Sequence, residues 1–137
     1  RISKNYILKI AEQESLVDIY ISSYLNFYLI WNKGIAFGLF SFDQNFIYNL
    51  ITLIIVVISF VIMILIIKTN GIERYSFTLV FGGAISNLYD RIYYKAVPDF
   101  IDFHIAEYHW FVFNVADIFI TLGIVSIILT EVLKTNK

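Results

Sequence analysis

The chain has no cysteine, a single proline at Pro98, and few charges: Asp, Glu, Lys and Arg together make up 15% of its 137 residues. The missing cysteine excludes a disulfide framework, a thiolate metal site and a cysteine nucleophile. With one proline and no repeat or low-complexity stretch, nothing divides the sequence, so residues 1–137 read as one domain. The net charge of −1 gives no footing for a polyanion, and nucleic acid is not expected as a partner. There is no H-E-x-x-H and no G-x-x-x-x-G-K-[ST] phosphate loop. The two histidines, His104 and His109, lie in one short segment with no evident set of partner ligands, which argues against a zinc site and against a Ser/His/Asp triad. Every lysine reads as belonging to a loop or a terminus, so a serine/lysine dyad lacks its base. What the chain has in abundance is apolar surface. Hydrophobic residues make up 59% of it, against about 45–50% in a soluble domain.

That surplus is concentrated. Residues 46–67 form an uncharged run of about 22, and a bilayer needs about 20 in a helix. Residues 110–130 are similar but carry one acid, Asp117, which this reading places about 10 Å into a span. A third span is expected over residues 73–91. Lys68-Thr69-Asn70-Gly71 reads as a basic connection between helices. With Lys134 and Lys137 after the last span, the positive-inside rule puts that connection and the C-terminus on the cytoplasmic side. Lys33, Arg91 and Lys95 fall on the other side.

Residues 17–31 have a different period. Val17, Ile19 and Ile21 alternate with Asp18, Tyr20 and Ser22, and Leu25, Phe27 and Leu29 alternate with Asn26 and Tyr28. Period two with β-branched and aromatic residues indicates half-buried strands, with a break near Ser22-Ser23. The tyrosines and Trp31 suit the headgroup level of a membrane, and Gly34 and Gly38 would free the loop that follows.

Polar residues in such a chain need a reason, because an ionisable group at the centre of a span costs about 2.5–3.5 kcal/mol. Asn114 precedes Asp117 by three positions, which would put both on one helical face looking into the bundle. Gly82, Gly83, Ala84 and Ser86 allow close helix approach. Asn87 and Asp90 stand one turn apart with Arg91 adjacent, and Asp90 reads as a structural partner of an arginine or a helix end and not as a catalyst. In Val97-Pro98-Asp99-Phe100-Ile101-Asp102-Phe103-His104, acids alternate with bulky apolar groups. Residues 92–109 are expected to form an interfacial loop or short helix. Asp99 after the third span and Asp117 at the start of the fourth would converge near one membrane face. Two close carboxylates cannot both ionise, and a pair sharing one proton is the acid and base of an aspartyl protease.

The order and spacing of four blocks then become specific. Asn32-Lys33-Gly34-Ile35-Ala36-Phe37-Gly38, Gly82-Gly83-Ala84 with Asn87-Leu88-Tyr89-Asp90-Arg91, Val97-Pro98-Asp99-Phe100, and Phe113-Asn114-Val115-Ala116-Asp117 together resemble bacterial lipoprotein signal peptidase (signal peptidase II). The resemblance implies a membrane all-α bundle with a small extracytoplasmic β-cradle, here residues 14–44. It implies four transmembrane helices, of which three are visible: residues 45–68, 73–91 and 110–133. Residues 1–13 would be the end of the first, and a trimmed sequence is expected. It implies a multi-pass protein of the bacterial inner membrane whose site lies near the extracytoplasmic face. The substrate would be a prolipoprotein cut before its diacylglyceryl-modified cysteine, and membrane lipid the other partner of a monomer.

By the same resemblance the catalytic pair is Asp99 and Asp117, with Asn32, Gly34, Asn87, Asp90, Arg91 and Asn114 lining or bracing the site, and no metal or cofactor. Ser86 and Lys95 stand where the family usually has glycine, and Pro98 directly precedes the proposed acid. Two readings of other classes remain. Asp117 as a proton or cation relay would call for a midplane site and interrupted spans, and a purely structural bundle would tolerate Asp117→Leu.

Overall fold

The computed structural model describes residues 1–14, 16–34 and 44–135. Gly38 and the latter part of the block beginning at Asn32 lie outside the described residues. The order is α1 (Ile2–Gln13), β1 (Asp18–Ser22), β2 (Leu25–Asn32), α2 (Gln44–Lys68), α3 (Gly71–Tyr94), β3 (Val97–Ile105), β4 (Tyr108–Phe113) and α4 (Val115–Thr135).

Among the described residues, α2 and α4 are the two helices long and apolar enough to cross a membrane. Leu53, Val57 and Phe60 on α2 and Leu122, Val125 and Leu129 on α4 are exposed, an amount of bare apolar surface that water would not support. α3 packs against both α2 and α4. Its approach to α4 depends on absent side chains. A Cβ on Gly83 would sit 2.5 Å from the Ala116 carbonyl oxygen, and one on Gly123 would sit 2.7 Å from that of Ser76. Ser76 and Ser126 share a hydrogen bond of 2.7 Å across this seam. Gly82, expected to act alike, meets nothing within 4 Å. At the far end of the bundle Lys134 pairs with Glu73, which holds the end of α4 beside the start of α3.

The strands form one antiparallel sheet in the order β1-β2-β3-β4. The β1–β2 hairpin is the one that alternation predicts. The segment over residues 92–109 differs from expectation: it is neither loop nor short helix but the end of α3, all of β3 and the start of β4. The acid/apolar alternation there is itself a period-two pattern, and β2 supplies the ladder that it needs, with Asn26 opposite Asp102 and Trp31 opposite Pro98. Pro98 is compatible because β4 pairs with β3 only from Ile101 onward, so the missing N–H lies where β3 has one neighbour. β4 also shortens the last helix. α4 begins at Val115, so Asp117 stands in its first turn, at the end of the span and not about 10 Å into it.

Ile7, Val17 and Phe100 form a buried core between α1 and the sheet, joined by Phe27, whose ring meets Phe100 edge to face at 6.1 Å. Each such side chain contributes about 1.5–3 kcal/mol on full burial. This core fixes β3, and with it Asp99, beside the helix ends.

Candidate active site

The geometry begins with Asn114, fully buried in the single residue between β4 and α4. As the residue before a helix it has side-chain and backbone groups free for partners. Its Oδ1 accepts from the Ala116 N–H at 2.7 Å, while Asp117 Oδ2 accepts from the Asn114 N–H at 2.9 Å. Asn114 and Asp117 are therefore linked by a reciprocal cap and not by a shared helical face. The Asn114 Nδ2 donates 2.6 Å to Asp99 Oδ1 and 3.3 Å to Asn87 Oδ1.

Each carboxylate has a second amide. Asn32 Nδ2 at the end of β2 donates to Asp99 Oδ2 at 2.8 Å, and Asn87 Nδ2 on α3 donates to Asp117 Oδ1 at 2.8 Å. Asp99 is 3% exposed, and its burial pushes its pKa above the ordinary carboxylate value. The amides of Asn114 and Asn32 oppose that shift, and the charge of Asp117 adds to it. Asn32, Asn87, Arg91, Val97, Asp99, Phe111, Val112, Phe113 and Asp117 line a cavity of about 240 Å³. Two acids, two amides and an arginine thus face one space walled by apolar and aromatic groups.

Gly34 braces this wall. Its φ of +74° suits glycine, and a Cβ there would lie 2.6 Å from Arg91 Nη2. Its N–H donates to Asn32 Oδ1 at 2.7 Å, which orients the Asn32 amide toward Asp99. Arg91 is held in turn: Tyr48 Oη donates to its carbonyl at 2.7 Å, and its guanidinium lies 5.6 Å from the Tyr48 ring centroid.

Asp90 lies apart from this cavity. Fully buried, it pairs with Arg1 and, at 2.5 Å, with Lys4 Nζ. Its partner Arg1 is an arginine, as its position suggested, and Lys4 is a second cation beside it. Lys4 was not foreseen. It is 1% exposed on α1, contrary to the expectation that every lysine lies in a loop or terminus. It also donates to Asn87 Oδ1 at 2.6 Å, which leaves the Asn87 Nδ2 for Asp117. Its ammonium is committed to Asp90 and Asn87, so it does not restore a serine/lysine dyad. One basic residue in an amphipathic stretch gives no sequence signal of burial.

Comparison with known proteins extends this picture. The chain matches the family described as signal peptidase (SPase) II over residues 1–133. It is 58% identical to the lipoprotein signal peptidase of Pelagibacter ubique over 137 residues, which is all of this chain and 82% of that one. It is 38% identical to the lipoprotein signal peptidase of Anaplasma phagocytophilum, covering all of this chain and 86% of the relative. A solved bacterial membrane enzyme superposes with a TM-score of 0.72 at 27% identity, over 98% of this chain and 80% of its own. A second gives 0.70 at 27% identity, over 93% and 83%. An apolar bundle, a cavity with paired acids and a match that runs nearly end to end lead to one conclusion: this chain is a membrane protein that belongs to the signal peptidase II family of lipoprotein-processing peptidases.

Proposed function

We propose that this chain cleaves prolipoproteins just before the diacylglyceryl-modified cysteine, with Asp99 and Asp117 as a two-aspartate, water-activating pair. The observation that carries this reading is the placement of both carboxylates on Asn114, at the wall of one cavity. Like charges so coupled hold one proton between them at working pH. Burial favours Asp99 as its carrier, which leaves the Asp117 carboxylate, positioned by Asn87 and Asn114 in the first turn of α4, to act as the base. Asp117 takes a proton from water as the oxygen adds to the scissile carbonyl. Asp99 then gives its proton to the departing amine as the C–N bond breaks. Arg91 and the amides of Asn32 and Asn87 orient the peptide and the acids.

Topology fits the same reading. Lys68, Arg74 and Lys134 gather at the end of the bundle where α3 begins and α4 ends, and the sheet lies at the opposite end. On the positive-inside rule the connection from α2 to α3 and the end of α4 lie in the cytoplasm and the aspartates near the extracytoplasmic face of the inner membrane, with α3 as a further span about 36 Å long. Acyl chains remain in lipid beside α3 and α4 while the scissile bond meets the acids. A relay role for Asp117 is disfavoured by its position at a helix end.

The test is cleavage of a diacylglyceryl-modified prolipoprotein in nanodiscs by the parent, Asp99→Asn and Asp117→Asn. Loss of cleavage in both folded variants supports the pair. Near-parental turnover in either one refutes it.

A further inference from the structure

A second polar cluster lies on the sheet, distinct from the aspartate pair. Asp102 and His104 on β3 and His109 on β4 each offer one ligand atom, and those atoms lie within 4.8 Å of one another. Asp102 is 2% exposed, and its Oδ2 is 2.8 Å from His109 Nδ1 and 3.6 Å from His104 Nδ1. The longer separation is beyond a hydrogen bond. His104 Nδ1 is accordingly buried with no hydrogen-bond partner, on a side chain 11% exposed. An unmet polar atom of this kind costs about 1–3 kcal/mol. Across the ladder from Asp102 stands Asn26, whose Oδ1 is also buried and unpaired. Asn26, Asp102, His109 and Asp18 share a cavity of about 380 Å³.

The backbone produces this convergence. Phe103 pairs with Phe111 but His104 pairs with His109, so β4 carries one extra residue between them. Such a bulge re-aims the neighbouring side chains, and here it accompanies two imidazoles gathered at one carboxylate.

We propose that Asp102, His104 and His109 form a binding site for a first-row divalent transition-metal ion of the Zn²⁺ class. Two imidazoles and one carboxylate are a donor set that this class accepts, with water from the adjoining cavity completing a tetrahedron. Ligand atoms about 2.0–2.2 Å from such an ion stand about 3.3–3.5 Å apart. The two carboxylate–imidazole separations of 2.8 and 3.6 Å lie on either side of that value, and all three ligand atoms lie within 4.8 Å, so binding draws the two imidazoles in around the carboxylate. The ion takes the lone pair of His104 Nδ1, and the unpaired Asn26 Oδ1 lies across the ladder as a candidate acceptor for the metal-bound water. Mg²⁺ and Ca²⁺, which demand mostly oxygen ligands, do not match. Occupancy ties β4 to β3 three residues beyond Asp99, and binding itself requires no catalysis.

The test uses the full chain in detergent micelles, stripped with a chelator and titrated with Zn²⁺ against a chromophoric competitor. The expected result is one Zn²⁺ per chain, unaffected by excess Mg²⁺. Affinity should fall at least tenfold in His109→Gln and again in His104→Gln, and be retained in Asp99→Asn. His109 is 57% exposed, so His109→Gln keeps the fold and decides the matter if the buried His104→Gln does not fold. Absence of one-to-one binding, equal affinity in His109→Gln, or loss of binding in Asp99→Asn overturns the assignment.

Discussion

Asn114 donates its side-chain amide to Asp99 at 2.6 Å and, through the Asp117 carboxylate on its own N–H, joins both acids to the start of α4. In the proposed mechanism a residue with two such bonds sets the spacing of the pair without taking part in proton transfer. Asn114→Ala should therefore lower kcat by about 10-fold, less than loss of either acid, whose acid–base contribution is about 10²–10⁴-fold. Single-turnover cleavage measures this, and an unchanged rate would show that the acids hold their positions unaided.

The raised pKa of Asp99 makes stability depend on pH. A carboxyl that keeps its proton more tightly when folded contributes its full share below the ordinary value of 3.8 and loses it as pH rises through the folded value. The difference in unfolding free energy between parent and Asp99→Asn should thus be flat at low pH and shift against the parent as pH rises above 3.8. Denaturation at a series of pH values provides the comparison. A flat difference throughout would mean that Asp99 titrates as it does in the unfolded chain.

Lys4→Met leaves the buried Asp90 with Arg1 alone and releases Asn87. Breaking a buried pair from one side costs about 3–5 kcal/mol, and the remaining arginine puts the expectation near the lower figure. Lys9→Met, exposed on the same helix, should stay within about 0.5 kcal/mol of the parent. Thermal unfolding in one detergent compares them directly.

Gly34→Ala introduces a Cβ against Arg91 at a backbone angle that costs a non-glycine residue about 1–2 kcal/mol. Because Gly34 also orients Asn32, cleavage should fall more than stability. Parallel assays would show whether the two losses separate.

The β3–β4 turn carries the opposite error. Ala106 has φ of +52° in a two-residue connection where glycine is preferred. Ala106→Gly should stabilise the chain by about 1 kcal/mol with cleavage unchanged. A destabilised variant would place the strain elsewhere.

The sequence by itself determined the apolar helices, the β1–β2 hairpin and the candidate acids, because these rest on local composition, period two and short motifs in fixed order. It marked Asp90 as a partner of an arginine or a helix end for the same reason, and the lysine beside it came only from the structure. Tertiary structure decided what depends on distant strands and helices meeting. β3 and β4 exist because β2 supplies a ladder, and that moved Asp117 from about 10 Å inside a span to the first turn of α4. Burial of Lys4 required its side chain to reach Asp90 on α3, 86 residues away in the chain. The gathering of His104 and His109 around Asp102 depends on one extra residue in β4, and a register shift of that kind leaves no trace in composition or spacing.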